Sequence, residues 1–142
     1  MKIGFFGTPE FSSFFCTELL KNHEIVFAVS STDKASGRNR KVQFCPVKEV
    51  ALAKNIPLFQ PHSLADREFQ DEIFRFAADA YVVVAYGKKI PREIFDHPPL
   101  KTLNLHPSLL PLYRGAAPIE WAIMKGEKIT GITVQLINDG ID

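Results

Sequence analysis

An asparagine and a histidine lie two positions apart in the segment Asn104-Leu105-His106-Pro107-Ser108. If this segment is a strand, residues i and i+2 point to the same face, so the amide of Asn104 and the imidazole of His106 project together. An amide donor beside an imidazole can stabilise an oxyanion and move a proton. The alternative is an ordinary polar strand end whose side chains bond to a neighbouring loop.

A carboxylate that could pair with His106 lies further along the chain. Asp139 and Asp142 follow the last predicted strand, and a turn there would bring one of them toward the imidazole. The dipeptide Asp139-Gly140 is by itself typical of a plain turn. The intervening loop is stiffened by prolines, and its Gly115-Ala116-Ala117 run permits close approach of a backbone.

Alternating strands and helices must position these residues. The pattern predicts strands over 2–7, 24–30, 80–86, 102–106 and 132–137, a short strand near Leu58, and helices after Pro9 and over 46–54, 66–76 and 119–125. This alternation predicts an α/β fold, a Rossmann-like doubly wound and mostly parallel sheet flanked by helices. Such sheets bind ligands at the carboxyl ends of their strands, which is where Asn104 and His106 lie.

Two segments carry more specific structural expectations. Thr8 is expected to cap the first helix, which would bury one face made of Phe11, Phe14, Phe15 and Leu19. Trp121 is expected in the core. Residues 31–45 lack periodicity and are expected to form an exposed, mobile loop.

Composition bounds the class of protein. The chain has 142 residues, 46% hydrophobic and 23% charged, which is enough for one domain with a sizeable core. A net charge of +1 excludes a uniformly basic nucleic-acid coat but not a local basic patch. Two cysteines, Cys16 and Cys45, predict a reduced, cytoplasmic protein, and no apolar run is long enough for a membrane span. A nucleotide-binding loop is disfavoured, because the glycine spacing after the first strand does not match the dinucleotide fingerprint.

The stretch from Asn104 to Ile119, Asn-Leu-His-Pro-Ser-Leu-Leu-Pro-Leu-Tyr-Arg-Gly-Ala-Ala-Pro-Ile, resembles the signature of the methionyl-tRNA formyltransferase family. Residues 7–11, 82–87 and 131–134 resemble other landmarks of that family in the expected order. The resemblance implies that residues 1–142 form an incomplete catalytic domain with the formyltransferase fold, truncated at its C-terminal end. The family's C-terminal β-barrel domain is then absent from this chain.

The resemblance also implies a reaction. The family transfers a formyl group from 10-formyltetrahydrofolate to the amino group of initiator methionyl-tRNA, and its catalytic positions fall on Asn104, His106 and Asp142. Asn104 and a protonated His106 would stabilise the oxyanion, and Asp142 would orient His106 and help to move the proton lost by the amine. No metal and no covalent intermediate are implied.

By the same resemblance, two segments would form the folate site. One is Ser108, Leu109, Leu110 and Pro111. The other runs from Val84 to Ile90 and would wrap the pterin, with Tyr86, Gly87 and Ile90 as binding residues. Lys88 and Lys89 depart from the apolar residues common there in the family, and the alternative for both is a solvated loop.

The segment 34–41 resembles the family's insertion that contacts the tRNA acceptor end. Its cationic residues would contact phosphates and supply salt-dependent affinity without base readout; they are Lys34, Arg38, Arg40 and Lys41. Arg38 falls on the family's principal arginine. A solvated basic loop is the alternative.

Two other functions remain open on these grounds. One is formyl transfer to a sugar nucleotide with the same folate donor, against which the basic insertion and the Ala116-Ala117-Pro118 run argue. The other is a non-catalytic folate- or tRNA-binding fragment, since the chain ends at Asp142 itself. A cytoplasmic monomer is expected in each case.

Overall fold

The computed structural model describes residues 1–36, 41–140 and 142 of the chain. Its strands are β1 (Lys2–Gly7), β2 (Glu24–Val29), β3 (Lys34–Ser36), β4 (Lys41–Gln43), β5 (Leu58–Phe59), β6 (Ala80–Val84), β7 (Thr102–His106) and β8 (Thr133–Leu136). Its helices are α1 (Glu10–Leu19), α2 (Pro46–Ala53), α3 (Arg67–Phe74), α4 (Arg92–Phe95) and α5 (Pro118–Met124). The predicted alternation of strands and helices is thereby confirmed.

Six of the strands form one sheet in the order β5-β2-β1-β6-β7-β8. All neighbours in it are parallel except β7 and β8, which pair antiparallel with His106 opposite Thr133 and Asn104 opposite Gln135. The Rossmann-like, mostly parallel sheet expected from the sequence is therefore confirmed. The strand that follows the long loop reverses direction and forms one edge.

Hydrophobic side chains cover both faces of this sheet. Phe5 and Phe6 are neighbours in β1 and both are fully buried, but they belong to separate core clusters on opposite faces, as the two-residue period of a strand requires. The Phe6 cluster is largely aromatic, and its Phe27 ring packs edge-on against Tyr81 with centroids 5.5 Å apart. A side chain at Gly4 would place its Cβ 2.3 Å from the Phe27 ring, so only glycine fits there.

The first helix differs from the expectation at its start. Its N-cap is Pro9 and no side chain caps it, so the prediction of Thr8 as the cap is wrong. The Thr8 hydroxyl lies 3.2 Å from both the hydroxyl and the main-chain nitrogen of Ser31. Thr8 thus joins the ends of β1 and β2, a contact between distant segments that local helix signals do not contain.

The buried face of α1 is also narrower than predicted. Ser12 and Cys16 are the fully buried residues of the helix, whereas Phe14 is 60% exposed. The helix lies close to the sheet, because the Ser12 hydroxyl donates to the Val84 carbonyl at 2.5 Å and a Cβ at Gly7 would lie 2.7 Å from that of Ser12. Small residues therefore occupy the contact, Phe11 and Phe15 flank it, and Phe14 points outward.

Residues 31–45 contain secondary structure, contrary to the expectation of a loop without it. The backbones of 34–36 and 41–43 pair antiparallel as β3 and β4. Their base is fixed to the sheet by an ion pair between Asp33 and Lys48 and by Gln60, whose amide donates to Asp33 at 3.1 Å and to the Ser31 carbonyl at 2.7 Å. The sequence of these short strands is mostly polar and lacks the alternation of apolar residues by which a strand is predicted.

The helical regions outside α1 show two further differences. The connection after β6 contains the short helix α4, which the proline-rich sequence does not predict. Trp121 on α5 is 45% exposed and not part of the core, so its predicted burial is wrong. Among the residues that the structure describes, no helix is both long and apolar enough to cross a membrane.

Candidate active site

The carboxylate of Asp142 joins the residues singled out by their chemistry. After β8 the chain turns at 138–140, where the Gly140 N–H donates to the Asn138 side chain at 2.7 Å, and the carboxylate of Asp142 lies beside Asn104 of β7. Oδ1 of Asp142 lies 3.2 Å from Nδ2 of Asn104, and Oδ2 lies 3.3 Å from Nδ1 of His106. The three predicted catalytic residues are thus brought together, although Asn104 and Asp142 are 38 positions apart.

His106 is held at both ring nitrogens. The residue is only 4% exposed, and its Nε2 lies 2.8 Å from the main-chain carbonyl oxygen of Tyr113. Because a carbonyl only accepts, Nε2 must carry a hydrogen, while Nδ1 faces the Asp142 carboxylate. An imidazolium ring in this position would donate one N–H to the Tyr113 carbonyl and the other to the Asp142 carboxylate.

Two further donors complete the surroundings of Asp142. Nε2 of Gln135 lies 2.7 Å from Oδ1, and the main-chain nitrogen of Gly115 lies 3.0 Å from Oδ2. Sequence reasoning does not select Gln135, because its position opposite Asn104 depends on the antiparallel register of β8. The sequence marks Gly115 as a position where a backbone can approach closely. Its contact with Asp142 has no local sequence signal.

A cavity of about 970 Å³ opens beside this cluster. One wall contains Asn104, His106, Gln135 and Asp142, and another comes from the segment that follows β6. The loop 114–118 forms a third side. The volume is typical of sites that hold a ligand the size of a cofactor or drug.

Some of the residues expected to bind folate line the cavity, and others do not. Gly87 and Ile90 line the cavity, as do Lys88 and Lys89. Tyr86 is buried in the aromatic cluster, and burial raises the pKa of its hydroxyl to about 12. The side chain of Tyr86 is therefore part of the core beneath the cavity.

None of the residues 108–111 lines this cavity, although the preceding Pro107 does. Ser108 is fully buried, and its hydroxyl donates to the Leu112 carbonyl at 2.6 Å. The Leu110 N–H donates to the Thr133 hydroxyl at 3.1 Å, and that hydroxyl donates to the Ser108 carbonyl at 2.7 Å. These contacts attach the segment to β8. Leu109 is 47% exposed, and Pro111 is exposed as well.

The two lysines after β6 bond to main-chain oxygens. Nζ of Lys88 lies 3.2 Å from the Pro61 carbonyl and 3.1 Å from that of His62, and Nζ of Lys89 lies 3.3 Å from the Asp139 carbonyl. Both residues are exposed as well as lining the cavity. Asp139 itself forms an ion pair with Arg92 at 3.5 Å, so of the two candidate carboxylates only Asp142 contacts His106.

Of the residues expected to contact tRNA, Lys34 begins β3 and Lys41 begins β4. Arg38 and Arg40 lie outside the described residues. Across the described ranges, no group of three or more histidine, cysteine, aspartate or glutamate residues is arranged to hold a metal ion.

Comparison with known proteins places these observations in a family. The family model described as formyl transferase matches residues 1–142. Proteins named methionyl-tRNA formyltransferase from Alkaliphilus oremlandii and Clostridioides difficile are 50% and 45% identical to the chain over its whole length. The chain spans 46% of the length of each of these relatives.

Solved structures show the same fold. A phosphoribosylglycinamide formyltransferase from Bacillus halodurans superposes with a TM-score of 0.77 at 20% identity, over 100% of this chain and 74% of that one. A formyltetrahydrofolate deformylase from Pseudomonas syringae superposes with a TM-score of 0.75 at 19% identity, over 99% of this chain and 47% of that one. Since the family model matches the entire chain and the fold agrees, the chain belongs to the formyl transferase family.

Proposed function

We propose that this chain carries the formyl-transfer site of an enzyme that moves a formyl group from 10-formyltetrahydrofolate to the amino group of initiator methionyl-tRNA. The observation that carries the proposal is the contact of Asn104 and His106 with one carboxylate, Asp142, at the wall of a ligand-sized cavity. The relatives named methionyl-tRNA formyltransferase support the choice of acceptor, and the formyltetrahydrofolate deformylase of the same fold supports a folate donor.

The chemistry follows from the positions of the donors. The methionyl amine attacks the formyl carbon, a new carbon–nitrogen bond forms, and negative charge develops on the formyl oxygen. The bond from that carbon to the folate nitrogen then breaks, and the proton lost by the amine goes to the leaving nitrogen. Nδ2 of Asn104 has two hydrogens, so one can stay on Asp142 while the other stabilises the oxyanion.

His106 would supply the second stabilising charge. For Nε2–H to reach the formyl oxygen, it must be shared with the Tyr113 carbonyl or released from it, and three-centre hydrogen bonds allow such sharing. Asp142 would hold the ring through Nδ1 and balance its charge while the proton is transferred. Asn104 and His106 both line the cavity, so both side chains lie where a bound formyl group could be reached.

The donor would lie in the cavity beside the segment 85–90, contacted by Gly87 and Ile90. Tyr86 would support this folate site from the core, and we keep Ser108, Leu109, Leu110 and Pro111 as proposed folate-site residues that follow directly on Pro107 of the cavity lining. The tRNA would be bound through the phosphate contacts of Lys34, Arg38, Arg40 and Lys41. We also propose that the protein acts as a monomer in the cytoplasm, where aminoacylated tRNA is made.

The proposal is tested with the complete gene product that contains this chain. Formyl transfer from 10-formyltetrahydrofolate is measured to initiator methionyl-tRNA and, in parallel, to an amino-sugar nucleotide. Transfer to the tRNA alone is expected, and transfer to the sugar alone would contradict the proposal. Binding of both substrates without any transfer would favour a binding module instead.

A substitution at His106 then assigns the site. His106→Ala is expected to lower the rate by ~10²–10⁴-fold and to change tRNA affinity little, since the imidazole acts on the reacting carbonyl. His62→Ala removes an exposed histidine and is the matched control. An unchanged rate in His106→Ala would show that the reaction takes place elsewhere.

A further inference from the structure

The contact between Gln135 and Asp142 is the shortest that the carboxylate makes. Nε2 of Gln135 lies 2.7 Å from Oδ1, compared with 3.0 Å for the Gly115 nitrogen on Oδ2 and 3.2 Å for Asn104 on Oδ1. Gln135 is half-buried on β8, directly opposite Asn104. Its backbone is therefore fixed by the pairing of the two strands that form the site.

The number of donors around the Asp142 carboxylate, four, equals the number of hydrogen bonds that a carboxylate can accept. An ionised carboxylate offers about four lone-pair positions, two on each oxygen. Oδ1 receives the amides of Asn104 and Gln135, and Oδ2 receives the Gly115 N–H and faces His106. Every position is thus occupied, so the carboxylate has one orientation that satisfies all four donors.

These donors have different parts in the proposed reaction. Asn104 and His106 are the groups that would act on the formyl oxygen. The Gly115 N–H and the Gln135 amide hold the carboxylate without belonging to that pair. Because the Gly115 donor is main chain, Gln135 is the side chain whose removal tests how the carboxylate is held.

We propose that Gln135 is a positioning residue for formyl transfer, which acts by fixing the carboxylate of Asp142. This inference depends on the proposed function. With Gln135 in place, Oδ2 faces His106 and Oδ1 needs only one hydrogen from Asn104, which leaves the other for the substrate. Without it, Oδ1 retains only the 3.2 Å contact with Asn104, and the Gly115 N–H on Oδ2 is the one remaining donor outside the reacting pair, so the carboxylate is held less firmly against the imidazole.

Kinetic measurements on the complete gene product test this role. Gln135→Leu replaces the amide with an apolar side chain of similar size. Gln135→Glu replaces the amide donor with a carboxylate, which only accepts hydrogen bonds. Both are expected to lower kcat by at least ~10-fold while KM for each substrate stays within ~threefold, since misplacement of a catalytic group affects the transition state most. Val134→Thr is the matched control, because Val134 is the neighbouring residue on β8 and its side chain is 59% exposed.

A double-mutant cycle separates positioning from a merely structural role. If Gln135 acts through Asp142, Gln135→Leu has less than a ~twofold further effect on single-turnover rate in an Asp142→Asn background. Thermal unfolding of each variant verifies that it is folded. A kcat within twofold of the parent in Gln135→Leu, or an equal loss in the Asp142→Asn background, would overturn the inference while the proposed function stands.

NMR of His106 tests the position of the carboxylate even if no formyl transfer is detected. The ring nitrogen resonances of ¹⁵N-labelled His106 are expected to move in Gln135→Leu in the same direction as in Asp142→Asn, and to stay in place in Val134→Thr. If the parent transfers no formyl group, the proposed function fails. Displaced His106 resonances would then still support the contact's positioning role, and unchanged ones would refute it.

Discussion

Asn104 and Gln135 are directly opposed across β7 and β8, and their side-chain amides donate to the same oxygen of Asp142, at 3.2 Å and 2.7 Å. Both residues line the cavity, and the longer contact belongs to Asn104, which is proposed to act on the formyl oxygen. The shorter one belongs to the residue proposed to hold the carboxylate. Two chemically identical groups, presented by neighbouring strands, are thus proposed to have different tasks.

Removal of the Asn104 amide tests the first of these tasks. Asn104→Ala is expected to lower kcat for formyl transfer by ~10²–10³-fold, the cost typical of losing one oxyanion donor. Asn22→Ala, at an exposed asparagine far from the cavity, is the control for the substitution itself. A decrease below ~tenfold would mean that Asn104 does not contact the developing charge.

The basic segment makes a separate prediction about affinity. Arg38 lies outside the described residues, so the expectation comes from sequence alone. Arg38→Glu is expected to weaken tRNA binding and to reduce the slope of log affinity against log salt by about 1 or more, because one phosphate contact is lost and a repulsion is added. Filter binding over a salt series measures this slope. Arg75→Glu, on the exposed surface after α3, is the control, and an unchanged slope in Arg38→Glu would remove Arg38 from the tRNA site.

The ion pair at the base of β3 and β4 predicts a pH dependence of stability. Hydrogen bonds from Lys48 and then Gln60 hold the pKa of Asp33 below its ordinary value of 3.8. A carboxyl with a lowered folded-state pKa stabilises the fold above its unfolded pKa, and this contribution is lost as the pH falls through the folded-state value.

Asp33→Asn is therefore expected to be less stable than the parent at neutral pH, and the difference is expected to shrink as the pH falls below 3.8. Denaturant unfolding at several pH values measures the difference. Asp71→Asn, on the exposed face of α3, is the control. A difference that stays constant down to the lowest pH would show that the ion pair does not stabilise the fold.

Burial differs sharply between two phenylalanines of this chain. Phe27→Ala is expected to lower the free energy of unfolding by ~3–5 kcal/mol, because its ring is fully buried among Phe6, Phe59 and Tyr81. Phe14→Ala is expected to cost less than ~1 kcal/mol, since its ring is 60% exposed. Urea unfolding compares them, and similar losses for both would contradict the described position of α1.

The sequence predicts best those elements whose side chains follow a clear local pattern. The predicted strand over β6 agrees closely with the structure, because burial on both faces gives a continuous apolar run. The predicted strand at Asn104 and His106 also agrees, because its polar end interrupts the apolar pattern. The antiparallel pairing of β3 and β4 leaves no such local pattern, so it escapes prediction. The predicted burial of Phe14 and Trp121 is wrong, because their exposure depends on how closely a helix packs and not on hydrophobic character.

The candidate site is predictable as a set of chemical groups and less so as a geometry. The sequence alone points to Asn104, His106 and Asp142, the first two through their spacing and the third with the help of resemblance. It does not point to Gln135, whose position depends on the reversal of β8. Ser108 is expected at the ligand, and its buried hydroxyl donates to the Leu112 carbonyl four positions further along the chain, a contact that residue types alone do not indicate.

The short return of the chain after β8 has a consequence for the order in which the site is assembled. Gln135 and Asp142 are seven positions apart, whereas Asn104 and Asp142 are 38 apart. Closing the longer loop costs about 1.5 kcal/mol more entropy, so the contact within the turn forms more readily than the contact with β7. Among the residues that the structure describes, β8 pairs only with β7, and a strand with one neighbour is expected to open at a lower free energy than the centre of a sheet. We therefore expect the proposed site to be lost before the rest of the sheet, which would make the proposed formyl-transfer activity an early reporter of local unfolding.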